Sequence, residues 1–280
     1  MNVFMSDECD ESRMNDIMEE DSDKRSQNEW PILSGFHPKF YKVNHKKRLG
    51  KGAFGIVYQG DQDPNNNPDL PEKIAVKEID IENKYCETEL ELLKYNFNFN
   101  HKNLVSIYFM SRPSDSTFEI YMEYCECTLK QEIDCRNKKN EKLEDKEVIH
   151  VVRQILQGTK YLHSRKIIHR DLKPSNLLLK RELKSDKSLL NCIVKVGDFG
   201  LSKSLKFENR NTMSHQHLGS TGYRPPEACT DAMKRRWDEK GDIWSIGKIF
   251  LKITTRLQYT NLTLVLCGKR KLLRSSQLGR

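Results

Sequence analysis

Apolar and polar positions change period once along this chain, and that change outlines its organisation. From Tyr41 onward the pattern is of short, β-favouring runs. Lys46 to Gly50 leads into a glycine-rich turn and Ile56-Val57-Tyr58 leads out, which predicts a hairpin. Asp61 to Pro71, rich in Asn and Pro, predicts a loop before a strand over Ile74 to Glu78. Cys86 to Tyr95 carries Leu90, Leu92 and Leu93 at helical spacing, and two more strands are predicted over Leu104 to Met110 and Phe118 to Tyr124. After residue 125 the period becomes helical. Between Asp145 and His163 the residues Val148, Val151, Val152, Ile155, Leu156, Tyr161 and Leu162 form one broad face, as a long and mostly buried helix requires. A strand-rich part and a helix-rich part therefore meet near Glu123 to Glu126, and a cleft between two such parts is a usual place for a ligand.

Composition adds charge to this outline. Of 280 residues, Lys and Arg number 48 and Asp and Glu 40, a net charge of +8. The first thirty residues are acidic (Asp7, Glu8, Asp10, Glu11, Asp16, Glu19, Glu20, Asp21, Asp23), so the remainder is more basic than the total. Residues 1–35, polar and poor in aromatics before Trp30, read as a disordered acidic tail. A basic body meets phosphates or acidic partners without being specific for any, and basic motifs interleaved with aromatics, the mark of a nucleic-acid binder, are missing. The eight cysteines include a Cys125/Cys127 pair but no second ligand pair at zinc spacing, which points to ordinary thiols in a reducing compartment. The acidic N-terminus does not read as a signal peptide and no apolar run is long enough to span a bilayer, so the cytoplasm, or the nucleus, is expected, with no membrane partner. Asn261-Leu262-Thr263 fits a glycosylation sequon, which without a secretion signal is a chance match.

Candidate chemistry begins at Leu49-Gly-Lys-Gly-Ala-Phe-Gly-Ile-Val57. Gly50, Gly52 and Gly55 let backbone N–H groups approach phosphate oxygens where a Cβ would obstruct them. Such a pattern alone fits an empty turn or a dinucleotide fold equally well, but a strand follows it here where the dinucleotide fold begins a helix. Lys77 closes the run Ile74-Ala-Val-Lys. An ammonium on so apolar a strand needs a carboxylate partner, or else an edge position in water. Glu89 is the first choice of partner, with Glu87 and Glu91 as alternatives. Farther on stand His169-Arg-Asp-Leu-Lys-Pro-Ser-Asn176 and, after Ile193 to Val196, Gly197-Asp-Phe-Gly200.

This ordered series resembles the eukaryotic protein kinase family, Ser/Thr type. The resemblance implies an α+β, two-lobed fold with an antiparallel-sheet N-lobe and a mainly helical C-lobe. ATP and Mg²⁺ are the implied cofactors, and a protein bearing Ser or Thr the implied substrate. Asp171 would accept the proton of the substrate hydroxyl, Asn176 and Asp198 would hold Mg²⁺, and Lys173 would stabilise the transferred phosphoryl group. Lysine two residues after the catalytic aspartate is the Ser/Thr-kinase choice. Leu49, Val57, Ala75 and Leu178 would line the adenine pocket, Met122 would guard it, and the backbone of Glu123 to Cys125 would bond the adenine edge. Leu93, Leu104, His169 and Phe199 would stack as a hydrophobic column, although plain core burial explains them as well. Arg170 suggests an activation segment ordered by phosphorylation at Thr212 or Ser214, and Ser220 holds the slot of a threonine bonded to the catalytic loop. Pro225-Pro-Glu227 stands where the family has Ala-Pro-Glu.

Asp242-Ile-Trp-Ser-Ile-Gly247 resembles the buried helix whose aspartate anchors the catalytic loop. Beyond Ile253 the resemblance ends, where the family continues with further helices. The expected domain therefore spans 42–253 (N-lobe 42–124, C-lobe 125–253) with an incomplete C-lobe, a tail at 254–280, and apolar surface uncovered on the helix of Trp244 and Ile246. Cys125-Glu-Cys-Thr-Leu129 and the insert from Lys180 to Asn191 resemble the endoplasmic-reticulum stress-sensor kinase–endonuclease receptors. The rival reading to an enzyme is a catalytically silent nucleotide-binding scaffold.

Overall fold

The structure, a computed structural model, describes residues 29–31, 35–52, 55–64, 68–81, 100–181, 188–204, 219–228 and 237–255. The N-terminal part is one six-stranded antiparallel sheet in the order β1-β5-β6-β4-β3-β2. Its strands are β1 (Glu29–Pro31), β2 (Tyr41–Gly52), β3 (Gly55–Gln62), β4 (Lys73–Asp80), β5 (Ile107–Ser111) and β6 (Thr117–Glu123). The predicted hairpin is β2–β3, closed where Gly52 pairs with Gly55. The helix predicted over Cys86 to Tyr95 lies outside the described residues.

Two differences have physical causes. Glu29–Pro31 falls in the stretch read as a disordered tail, yet it pairs with β5, Trp30 opposite Met110. Backbone pairing along an open sheet edge needs no particular composition, so a polar stretch gives little warning of it. β5 begins at Ile107, three residues after the expected Leu104, because the backbone just before it is used elsewhere. The Val105 N–H donates to the Val196 carbonyl at 3.0 Å and the Val196 N–H to that of Asn103 at 2.9 Å, a parallel bridge from the sheet to the other lobe.

Past β6 the chain runs through β7 (Cys127–Thr128) into α1 (Leu129–Lys138) and α2 (Asp145–Ser164). Thr128 and Gln131 form a reciprocal capping box, the Thr128 hydroxyl accepting from the Gln131 N–H at 3.1 Å and the Gln131 side chain from the Thr128 N–H at 2.7 Å. Arg136 in the last turn of α1 binds Glu147 in the first turn of α2 through two N–H donors at 2.8 and 2.9 Å, locking the end of one helix to the start of the next. The hairpin β9 (Leu177–Arg181) and β10 (Cys192–Val196) follows β8 (Ile167–Ile168), which pairs with β11 (Lys203–Ser204), and α3 (Glu239–Thr255) lies against α2. Gly158 allows α2 to seat so closely, since a Cβ there would stand 2.7 Å from the Asn103 carbonyl. This is the α+β, sheet-over-helices architecture expected.

The core is continuous across both parts, from Ile79, Leu104, Met110, Phe118 and Ile120 to Val151, Ile155, Leu162, Leu177, Val194 and Ile249. A second cluster, Phe36, Tyr41, Ile74, Val76, Phe109 and Tyr121, covers the far face of the sheet. On α3 the inward stripe is Asp242, Ser245, Ile246, Ile249 and Ile253. The apolar positions left exposed on this helix are Ile243 and Phe250, while Ile246 is 4% exposed. The rotation of α3 is set by Asp242, whose carboxylate must face the loop that it anchors. Truncation at a sealed position, Ile155→Ala, is expected to cost about 2–5 kcal/mol in urea unfolding. Ile149→Ala, on the outer face of the same helix, should change the same measurement by no more than about 0.5 kcal/mol.

Candidate active site

Lys77 lies mid-strand on β4 with Ile74, Ala75, Val76 and Ile79 buried around it. Its ammonium meets Asp198 Oδ1 at 3.1 Å, across 121 residues of sequence. Asp198 stands two residues past the end of β10, with φ at +61°, a conformation that turns the residue out of the strand line. The strand lysine and the aspartate of Gly197-Asp-Phe-Gly200 are thus in direct contact. Glu89, the expected partner of Lys77, lies outside the described residues.

The second cluster forms around Asp171, a side chain 3% exposed. Its Oδ2 accepts from Lys173 Nζ at 2.6 Å and Asn176 Nδ2 at 3.1 Å. Its Oδ1 accepts from both the N–H and the hydroxyl of Ser220 at 3.0 Å. Lys173 also donates to Ser220 Oγ at 2.8 Å, so the loop and the Ser220 segment share one network. The Asn176 carbonyl accepts from the Gly197 N–H at 3.0 Å, which joins the Asp171 cluster to the turn of Asp198.

Asp242 holds the loop from below. Fully buried, it accepts from the N–H groups of His169 and Arg170, both at 2.9 Å, and contacts His163 Nε2 at 2.8 Å. Just past these two N–H groups the chain turns at Arg170, whose φ is +64°. His163 was missed from sequence, since a histidine ending an amphipathic helix carries no sign of a distant partner. The Arg170 side chain donates to the carbonyls of Leu201, at 2.6 Å, and Ser202, at 3.5 Å. Burial pushes its pKa down to about 10, which leaves it charged at neutral pH. Thr212 and Ser214 lie outside the described residues. Of the expected column, Leu104 is buried and His169 and Phe199 have ring centroids 5.7 Å apart, while Leu93 is outside the described residues.

The remaining expected positions fall on β2, β3, β4, β6 and β9 and just past β6. Gly50 pairs with Val57, and a Cβ on Gly50 would meet open space. Gly55 is confined instead: its φ is +138° and a Cβ would lie 2.1 Å from the Glu78 carbonyl, so only glycine fits. Leu49 is exposed on the strand leading to the turn, and Val57 pairs with Lys77. Ala75 pairs with Met122, and a Cβ on Gly197 would reach Leu178 Cδ1 at 3.4 Å. Cys125 stands two residues past the end of β6, and burial pushes its thiol up to about 12. The Glu123 N–H, one of the groups expected at an adenine edge, is engaged with the Ser106 carbonyl at 2.9 Å.

Sequence reading also missed the Glu123 side chain. Its carboxylate takes Lys180 on Oε1 and Lys195 on Oε2, each at 2.6 Å. The signal was present in Cys192-Ile-Val-Lys-Val196, where Lys195 poses the same question as Lys77: an ammonium on an apolar strand needs a partner.

The oxygen set suits Mg²⁺. Asn176 spends its amide nitrogen on Asp171, and Asp198 has one oxygen on Lys77 with 29% of its side chain exposed. Hard oxygen donors in this small number are what Mg²⁺ takes when phosphates supply the rest. Among the described residues no group of three or more His, Cys, Asp or Glu gathers as a metal cage.

Comparison with known proteins gives the following. Residues 43–263, a stretch running past Ile253, match the family described as protein kinase domain. Mitogen-activated protein kinase 2 of Pneumocystis carinii is 32% identical over 212 residues, 73% of this chain and 54% of that protein. Mitogen-activated protein kinase 6 of Oryza sativa subsp. japonica is 29% identical over 240 residues, 80% of this chain and 57% of that protein. Serine/threonine-protein kinase pakF of Dictyostelium discoideum is 32% identical over 214 residues, 75% of this chain and 16% of that protein. The chain spans about half the length of the mitogen-activated protein kinases it matches. The likeness to stress-sensor kinase–endonuclease receptors finds no support in these relatives. Its residues serve locally: Cys127-Thr128 is β7, and Thr128 caps α1.

Burial pushes the Asp198 carboxyl up, but the Lys77 ammonium outweighs it and holds the pKa below the ordinary 3.8. A carboxyl with a lowered folded pKa contributes stability that is complete above its unfolded value and is lost as pH falls through the folded one. The urea midpoint is therefore expected to hold steady from neutral pH to the ordinary carboxylate range and to fall below it. Asp198→Asn should flatten that fall, and an equally steep fall in the variant would contradict the assignment.

Proposed function

This chain belongs to the protein kinase domain family, and on that premise we propose that it transfers the γ-phosphoryl group of ATP to a serine or threonine hydroxyl of a protein. The observation that carries the proposal is the contact of Lys77 and Asp198 at 3.1 Å, a cation and an acid from opposite lobes. The Asp171 cluster is joined to the turn of Asp198 through the Asn176–Gly197 bond.

In this reading the β2–β3 turn covers the triphosphate, with Gly50 and Gly52 leaving its backbone N–H groups unobstructed. Lys77 contacts the α- and β-phosphates, and Leu49, Val57, Ala75, Met122 and Leu178 enclose the base. The hinge from Glu123 to Cys125 contributes its remaining backbone groups to the adenine edge. Asn176 Oδ1 and the open oxygen of Asp198 would hold Mg²⁺, which when bound neutralises charge on the phosphate oxygens.

Asp171 orients the substrate hydroxyl and accepts its proton as that oxygen bonds to the γ-phosphorus and the bond to the bridging oxygen of the departing ADP breaks. The Ser220 hydroxyl, 3.0 Å from Asp171 Oδ1 and 2.8 Å from Lys173 Nζ, marks a place where a hydroxyl meets both groups. Lys173 can then balance charge on the moving phosphoryl group. The choice of serine and threonine rests on Lys173 and on the relatives, one of which is named a serine/threonine-protein kinase. Among the described residues no helix is long and apolar enough to cross a membrane.

The test is transfer of labelled γ-phosphate to a generic protein substrate, with phosphoamino-acid analysis of the product. Magnesium-dependent phosphoserine or phosphothreonine is expected from the wild type. Removing the base by Asp171→Asn should lower the rate by about 10²–10⁴-fold. Equal, background-level signal from both proteins would contradict the enzyme reading and favour a silent nucleotide-binding scaffold.

A further inference from the structure

We infer that the buried carboxylate of Glu123, gripped by Lys195 and Lys180, is a positioning residue that sets the spacing between the hinge and the metal-binding turn. The inference rests on the phosphoryl-transfer reading above and adds to it a residue whose side chain touches neither nucleotide nor metal.

Glu123 is the last residue of β6 and is 5% exposed. Its Oε2 meets Lys195 at 2.6 Å and accepts from the Ser106 N–H at 3.3 Å, while Oε1 meets Lys180 at 2.6 Å. The two lysines come from the two strands of one hairpin, Lys180 from β9 and Lys195 from β10. Those strands are held in strict register, Lys180 opposite Ile193 and Lys195 opposite Leu178. β9 begins directly after Asn176, and β10 ends two residues before Asp198. One carboxylate therefore holds both strands of the hairpin that presents both proposed metal ligands.

The hinge side is tied as firmly. The Glu123 N–H donates to the Ser106 carbonyl, and Lys195 Nζ reaches the Leu104 carbonyl at 3.3 Å. The base would lie against the backbone after Glu123 and the phosphates against Lys77 and Asp198, so the nucleotide spans the distance that this clamp fixes.

Why charge rather than apolar packing stands here bears on its role. A buried ion pair gains little net stability over well-packed apolar side chains, because desolvation offsets the attraction. What it adds is direction: a carboxylate with a donor on each oxygen is fixed in distance and orientation, as an apolar contact is not. Burial pushes the Glu123 carboxyl up, but the two ammonium groups outweigh it and hold its pKa below the ordinary 4.5. The two arms differ. The Lys195 side chain is 7% exposed and that of Lys180 45%, so the Lys195 arm is the rigid one and the Lys180 arm is screened by solvent.

The test compares the wild type with Lys180→Met, with Glu123→Gln, and with the double variant Glu123→Gln/Lys195→Met. The double variant removes both buried charges together and so leaves no unpaired ion in the core. Each protein is measured for its urea midpoint and for kcat and KM against ATP. If the clamp positions the nucleotide, the double variant recovers stability relative to Glu123→Gln but not catalysis. Its kcat/KM for ATP is expected to stay about 10–100-fold below wild type, the scale of a small misplacement of reacting groups. Lys180→Met should lose less than the double variant. A folded double variant with wild-type kcat and KM would overturn the inference and leave the phosphoryl-transfer reading standing. An inactive wild type would overturn both.

Discussion

An ammonium group buried mid-strand survives only where a carboxylate reaches it, and at Lys77 that carboxylate arrives from the opposite lobe. Asp198 can reach it because φ of +61° turns the residue out of the line of β10, and because β10 is held in place by pairing with β9 and by the bridge to residues 103–105. Neither charge is in its final environment until both lobes have formed and docked. The contact at 3.1 Å is thus a consequence of nearly the whole fold. It also prepares a place where negative charge from a triphosphate can replace or join the carboxylate.

Buried carboxylates recur as fixed points in this molecule, each doing what apolar packing cannot. Asp242 collects two consecutive backbone N–H groups and a histidine, and so holds the loop in which Arg170, in the left-handed region, directly precedes Asp171. Asp171 in turn collects Lys173, Asn176 and Ser220. Glu123 collects two lysines from one hairpin. The apolar core runs unbroken between the sheet and the helices and supplies cohesion without direction. The acids supply the orientation on which phosphoryl transfer depends.

How much of this was legible in the sequence follows the range of the forces involved. β3, β4, β6 and the long helix α2 declare themselves through periodicity, because each presents one face to a core. The glycine turn, Lys77, Asp171, Asn176 and Asp198 were legible because their order matches a family, while their meeting was only implied. Glu29–Pro31 was not legible, since joining a sheet edge depends on backbone groups that every residue carries. The late start of β5 and the rotation of α3 depend on a few distant hydrogen bonds, with Val196 and to the Asp242 carboxylate, which leave no local mark. Lys195 was legible in principle: the reasoning that singled out Lys77 applies to it without change.

The central claim is that Lys77 and Asp198 face one triphosphate. An acyl-phosphate derivative of ATP, which acylates a lysine lying beside the bound phosphates, tests it directly with mass spectrometry of the labelled peptides. Labelling concentrated at Lys77 and suppressed by excess ATP with magnesium is the outcome this account requires. Labelling spread over surface lysines, or on Lys77 but indifferent to ATP, would contradict it.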